Sequence, residues 1–87
     1  MSDETLLSFP CDFPLKIMGA AIPEFRARVL EIVLRHAPDL DTATVVERPS
    51  TGGRYLSLTV VVNARSREQL DALYRELTAC ELITVVL

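Results

Sequence analysis

Apolar Phe13, Leu15 and Ile17 alternate with Pro14, Lys16 and Met18, the period-two pattern of a strand that buries one face. Gly19, Ala20 and Ala21 follow, and the glycine reads as the turn residue at which this first strand stops. Pro23 then suits the first position of a helix, where its missing N–H costs nothing, and Glu24 complements the positive end of the helix dipole. Counting about 100° per residue from Phe25, the residues Val29, Ile32, Val33 and His36 fall within roughly 80° of it and form a core stripe. Arg28, Glu31 and Arg35 make the wet face, with Glu31 and Arg35 in the favourable acid-first i, i+4 order. Leu30 and Leu34 fit neither group: they lie one turn apart on the far flank, where they read either as ordinary flank packing or as a small exposed apolar ridge. His36 closes the helix, with its ring expected to bond free carbonyls at the helix end, and Ala37 and Pro38 stop it.

After a connection through Asp39, Leu40, Asp41 and Thr42, the segment Thr44 to Arg48 predicts a short second strand. Glu47, Arg48 and Pro49 are residue types that blunt a sheet edge. Ser50 to Gly53 form a hairpin loop, which lacks the lysine and the following helix of a phosphate-binding loop. Tyr55 to Ala64 is the plainest strand: Leu56, Leu58, Val60, Val62 and Ala64 face one side, and Tyr55, Ser57, Thr59, Val61 and Asn63 face the other. Ser66 and Gln69 have the spacing of a capping box. They open a helix with the stripe Leu70, Leu73, Tyr74 and Leu77, an expected Asp71–Arg75 pair, and Glu68 and Glu76 on the wet face. Leu82 to Leu87 reads as a last strand without a charge.

The order β-α-β-β-α-β, with one apolar stripe per helix, predicts an α+β ferredoxin-like fold: a four-stranded antiparallel sheet of order 4-1-3-2 with both helices on one face. Residues 13–87 form this single domain, and residues 1–12 form an arm ahead of it, either pinned by Leu6, Leu7 and Phe9 or frayed. Two surfaces remain free, the sheet face away from the helices and the uncharged last strand at an edge, and a homo-oligomer through either would cover it.

With 87 residues the chain is long enough for one core only, with a stability on the order of 5–10 kcal/mol. Nine basic residues against twelve acidic ones, without a basic stripe, argue against nucleic-acid binding. No apolar run approaches the roughly 20 residues needed to span a bilayer, and the acidic start is unlike a secretory signal, so a cytoplasmic protein is expected with no membrane partner. Spacing leaves a bridge between Cys11 and Cys80 open, but reduced packing residues suit a cytosolic chain better. One histidine, with no second histidine or cysteine at ligand spacing and no serine beside a nameable base, leaves no catalytic or metal residues to nominate. No cofactor is implied.

The runs FPCDFPLKIMG, IPEF, EIVLRHAP, RPSTGGRYLSLT and LYRELTACELITVVL resemble the YbeD family of small bacterial cytosolic proteins, over nearly the whole chain. That family has no established function. Its fold is similar to the ACT-type regulatory domains that bind small metabolites, and some of its members are called lipoate regulatory proteins. The resemblance implies a non-enzymatic regulatory module, with an effector beside the turn after strand one, at Gly19 and Ala20. The side chains there are apolar, so backbone N–H groups would have to hold a charged ligand. The hairpin residues Arg48, Ser50, Gly53, Tyr55 and Ser57 complete the candidate site: Arg48 can pair with a carboxylate or phosphate, and Tyr55 can stack or donate a hydrogen bond. The same residues also read as simple cross-strand neighbours around a turn. The competing function is a protein-interaction module that docks on a partner enzyme through the open face or the last strand.

Overall fold

The computed structural model describes residues 8–87. Strand β1 (Cys11–Ala20) leads into helix α1 (Pro23–His36), and a short 3-10 turn at Thr42–Thr44 precedes strand β2 (Val46–Pro49). Strand β3 (Tyr55–Ala64), helix α2 (Arg67–Ala79) and strand β4 (Ile83–Val86) complete the chain. The sheet order is β2-β3-β1-β4 with every pairing antiparallel, the expected ferredoxin-like arrangement. The long β1 and β3 lie in the middle, and the two four-residue strands are the edges.

The core is built from the predicted stripes. Leu15 and Ile17 of β1, and Leu58, Val60, Val62 and Ala64 of β3, are fully buried beneath Phe25, Val29 and Val33 of α1 and Leu73 and Leu77 of α2. Leu30 and Leu34 are half-buried on the flank of α1 and are not an exposed ridge.

Strand β1 begins two residues earlier than its alternation indicated. Cys11 and Asp12, expected in the arm, pair with Ala64 and Asn63 at the far end of β3, because a ten-residue partner offers a ladder that long. Residues 1–7 of the expected arm lie outside the described residues. Pro14 is tolerated in a central strand by position. Lys16 exchanges both backbone bonds with Leu87, at 3.1 and 2.8 Å, so even-numbered residues of β1 face β4. Pro14 lies two residues past the last bond of that ladder, where no donor is required.

Gly19 departs from its reading as a turn residue. It is inside β1, paired with Leu56, and has no positive φ. A Cβ there would run into the Leu82 carbonyl oxygen and the ring of Phe25, so this glycine serves close packing and not backbone conformation. The positive φ values belong to Gly52 (92°) and Gly53 (71°) in the hairpin loop.

Strand β2 starts two residues later than expected and ends one later, because Asp41 organises the segment before it. Its Oδ1 accepts from the Ala43 N–H at 3.0 Å, and its carbonyl accepts from Thr44 Oγ1 at 2.7 Å, which turns Thr42–Thr44 into a helical twist. In α2, Ser66 Oγ accepts from the Gln69 N–H at 3.1 Å as expected. The reciprocal arm reaches one residue further: Gln69 Oε1 accepts from the Arg65 N–H at 2.6 Å. Gln69 Nε2 also donates to the His36 carbonyl at 2.9 Å, joining the end of α1 to the start of α2. The His36 ring therefore does not serve the helix-end carbonyls. Its Nε2 lies 2.7 Å from Glu76 Oε1, so Glu76 faces α1 instead of solvent, and Arg35 joins the same carboxylate. Among the described residues Asp71 and Arg75 form no ion pair, while Arg35 and Glu31 do, at 3.3 Å.

Cys11 and Cys80 are both free. Cys11 starts β1, whereas Cys80 follows α2 at the Gly19 end of the same strand. Eight residues of extended chain, roughly 26 Å, separate those ends, and a disulfide needs Cα atoms about 4.4–6.8 Å apart.

Candidate functional site

The register of the three strands decides which nominated residues can act together. Met18 pairs with Ser57, and Ser57 pairs with Arg48, so the three form one row across the open sheet face. Ala20 pairs with Tyr55 in the next row. The hairpin brings Ser50 back beside Tyr55: the Ser50 N–H donates to the Tyr55 carbonyl at 2.9 Å, and the Tyr55 N–H donates to Ser50 Oγ at 3.0 Å. Gly53 closes the loop by donating its N–H to the Ser50 carbonyl at 2.9 Å. Its positive φ is what the turn requires.

Between these strands and the loop lies a shallow depression of about 190 Å³, lined by Met18, Arg48, Pro49, Ser50, Tyr55, Leu56 and Ser57. Four of the seven nominated residues, Arg48, Ser50, Tyr55 and Ser57, meet in it. Ala20 stands next to it as the partner of Tyr55. Gly19 is in the interior layer and Gly53 in the loop, and neither lines the depression. Met18, Pro49 and Leu56 were not nominated. Alternation along β1 already put Met18 on the open face, but only the register sets it opposite Ser57. The floor is apolar, the rim carries hydroxyls, and Arg48 is the single cation. Among the described residues no carboxylate lies within 4 Å of the Arg48 guanidinium, because its neighbour Glu47 points to the other face and pairs with Arg26 at 3.1 Å. Such a lining can hold one anionic group with an apolar or aromatic portion beside it.

The turn from β1 to α1 has a separate hollow of about 460 Å³, bordered by Ala21, Ile22, Pro23, Arg26, Glu47 and Leu56. The N-cap residue Ile22 has no capping side chain, so the donors there are backbone groups, and Arg26 and Glu47 already neutralise each other.

On the opposite side, a groove of about 310 Å³ between the helices is lined by Arg28, Glu31, Ile32, Arg35, Glu76, Ala79 and Cys80. Its charges are mutually engaged: Glu31 with Arg28 at 3.6 Å, and Glu76 with Arg35 and His36. Among the described residues no buried side-chain polar atom lacks a partner, and no three metal-ligating side chains cluster.

The open face is also where the large exposed apolar residues collect. Of six among the described residues, Ile22 lies at the β1–α1 turn, and the other five, Val46, Tyr55, Val61, Val85 and Leu87, are each between 38% and 63% exposed. All five share the open face, because Val46 pairs with Thr59, Val85 with Met18, and Leu87 with Lys16. No helix among the described residues is long and apolar enough to cross a membrane.

A family model described as "protein of unknown function (DUF493)" matches residues 4–87. A "UPF0250 protein" of Paraburkholderia phytofirmans is 49% identical over 85 residues, covering 98% of this chain and 96% of that protein. A "UPF0250 protein" of Neisseria gonorrhoeae is 52% identical over 83 residues, covering 95% of this chain and 91% of that one. One from Ralstonia nicotianae is 49% identical over 84 residues, with 97% and 87% covered. Together with the expected fold, these matches meet the expectation of a small bacterial family without an established function: the chain belongs to the DUF493 (UPF0250) family.

Proposed function

We propose that this protein is a non-enzymatic regulatory module of the bacterial cytoplasm that takes a small anionic metabolite at the hairpin end of its open sheet face. The observation that supports this reading is the convergence of Arg48, Ser50, Tyr55 and Ser57 on one depression with an apolar floor. Arg48 pairs with the anionic group, Tyr55 and the two serines supply hydrogen bonds, and Met18, Pro49 and Leu56 receive the apolar portion. Lipoyl precursors are one ligand class of this kind, in keeping with the name some relatives of the resembled family carry. The depression is smaller than the usual 300–1,000 Å³ pocket, which suits a compact effector better than a nucleotide.

The test is a thermal-shift series with amino acids, octanoate, lipoate and nucleotides, run on the wild type and on Arg48→Gln. A ligand at about 100 times its dissociation constant adds roughly 2.7 kcal/mol, a shift of several degrees for a domain of this size. The expected result is a saturable shift with a carboxylate ligand that is lost in Arg48→Gln. A flat series, with control proteins responding to the same ligands, ends this reading.

The concentration of exposed apolar residues on the same face favours one alternative, a module that docks a partner enzyme there. That reading expects one specific protein to co-purify and to be lost in Tyr55→Asp. Undiminished capture by this variant counts against it.

A further inference from the structure

The depression at the hairpin end is lined by hydrogen-bond donors and apolar groups, and by no carboxylate. Arg48 is its cation. The adjoining hollow, which shares Ser50 and Tyr55 with it, carries Arg54 and again no carboxylate. Residues 48–57 hold two arginines and no acid in a chain of net charge −3, and the neighbouring Glu47 is held by Arg26 at 3.1 Å. Three carbonyls around the depression are already accepting. That of Ser50 takes the Gly53 N–H at 2.9 Å, that of Tyr55 takes the Ser50 N–H at 2.9 Å, and that of Arg48 takes the Ser57 hydroxyl at 3.4 Å. Ser50 Oγ takes the Tyr55 N–H at 3.0 Å, which leaves its own proton to donate.

We propose, resting on the reading above that this depression takes an anion, that its ligand is a carboxylic acid with an apolar portion and no amino group, and that the site rejects α-amino acids. The planar guanidinium of Arg48 offers two parallel N–H groups to the two carboxylate oxygens, and the Ser50 proton is a further donor at the rim. The carbon chain lies on Met18, Leu56 and the Tyr55 ring. In an α-amino acid the ammonium is attached to the carbon next to the carboxylate, so it is carried to the same spot. There it meets the positive charge of Arg48, loses water against an apolar floor, and finds no carboxylate to pair with. A site discriminates by the charge it leaves unpaired as well as by the contacts it makes. The donor-only lining is therefore a filter against the amino group.

The experiment is calorimetric titration of the full chain, wild type and Arg48→Gln, with acids matched to amino acids of the same carbon skeleton: isocaproate against leucine, and hydrocinnamate against phenylalanine. Each pair differs only in the amino group. The expected result is that each acid binds the wild type at least about tenfold more tightly than its amino acid, and that Arg48→Gln, shown to be folded by its thermal melt, loses the acid. An amino acid that binds as tightly as its matched acid overturns the proposal and leaves the anion site standing. Acids that bind folded Arg48→Gln undiminished overturn it too, since they then bind elsewhere. Absence of binding by all four ligands overturns it as well, and the thermal-shift series above then tells whether the anion reading falls with it.

Discussion

Replacing Gly19 by alanine puts a methyl group where the Leu82 carbonyl oxygen and the Phe25 ring already sit. Backbone cannot yield as a flexible side chain does, so Gly19→Ala should destabilise the protein by about 1–3 kcal/mol in urea unfolding. An unchanged midpoint would show that β1 and α1 separate more easily than their packing indicates. Gly52 has open space around its missing Cβ but a φ of 92°, so the cost of Gly52→Ala is backbone strain of about 1 kcal/mol or more. Both glycines are visible in the sequence, yet the reasons differ. A pair in a four-residue loop announces a turn by itself. A glycine at a strand end announces nothing until the helix that packs on it is in place. Arg48 is the converse case: its residue type suggested an anion site, and its freedom to serve one depends on Glu47 turning to Arg26.

At the scale of elements, Gln69 has the widest reach. It serves the Arg65 N–H, the His36 carbonyl and its own capping bond from Ser66, so it fixes where α1 ends relative to where α2 starts. Ser66→Ala should cost about 1 kcal/mol, as an N-cap deletion does. Gln69→Ala should cost more, about 1–3 kcal/mol, since it leaves the half-buried His36 carbonyl short of a partner and also removes the acceptor of the exposed Arg65 N–H. Equal losses in equilibrium unfolding would show that water replaces Gln69 fully. The cap was legible as a spacing of three residues, but the link to His36 joins positions 33 apart and has no local signature. The same holds for His36 itself, whose partner Glu76 is 40 residues away and was read as solvent-facing from its own helix alone.

For the whole molecule, one core under one sheet predicts a single cooperative unfolding transition, with melts by circular dichroism and by Tyr fluorescence superimposing. Two separated transitions would mean that the helices and the sheet do not share their core. Leu73→Ala, in the middle of the buried stripe of α2, should lower stability by about 2–5 kcal/mol. On a domain of this size that is a large part of the total. Because Cys11 and Cys80 lie at opposite ends of β1, a reducing agent should leave the melting temperature unchanged. A drop on reduction would require a bridge that this fold does not allow.

The periodicity of apolar residues was enough, without coordinates, to determine the elements, their order, the buried stripe of each helix and the topology of the sheet. These follow from local geometry: side chains recur every two residues on a strand and about every 3.6 on a helix, and few chain paths bury all the stripes at once. The register was decided only in three dimensions. It put Met18, Ser57 and Arg48 in one row, brought Ser50 to Tyr55, and took Gly19 into the interior. Register depends on which side chains interlock across strands and on where a turn ends, and those energies belong to pairs of residues far apart in the chain.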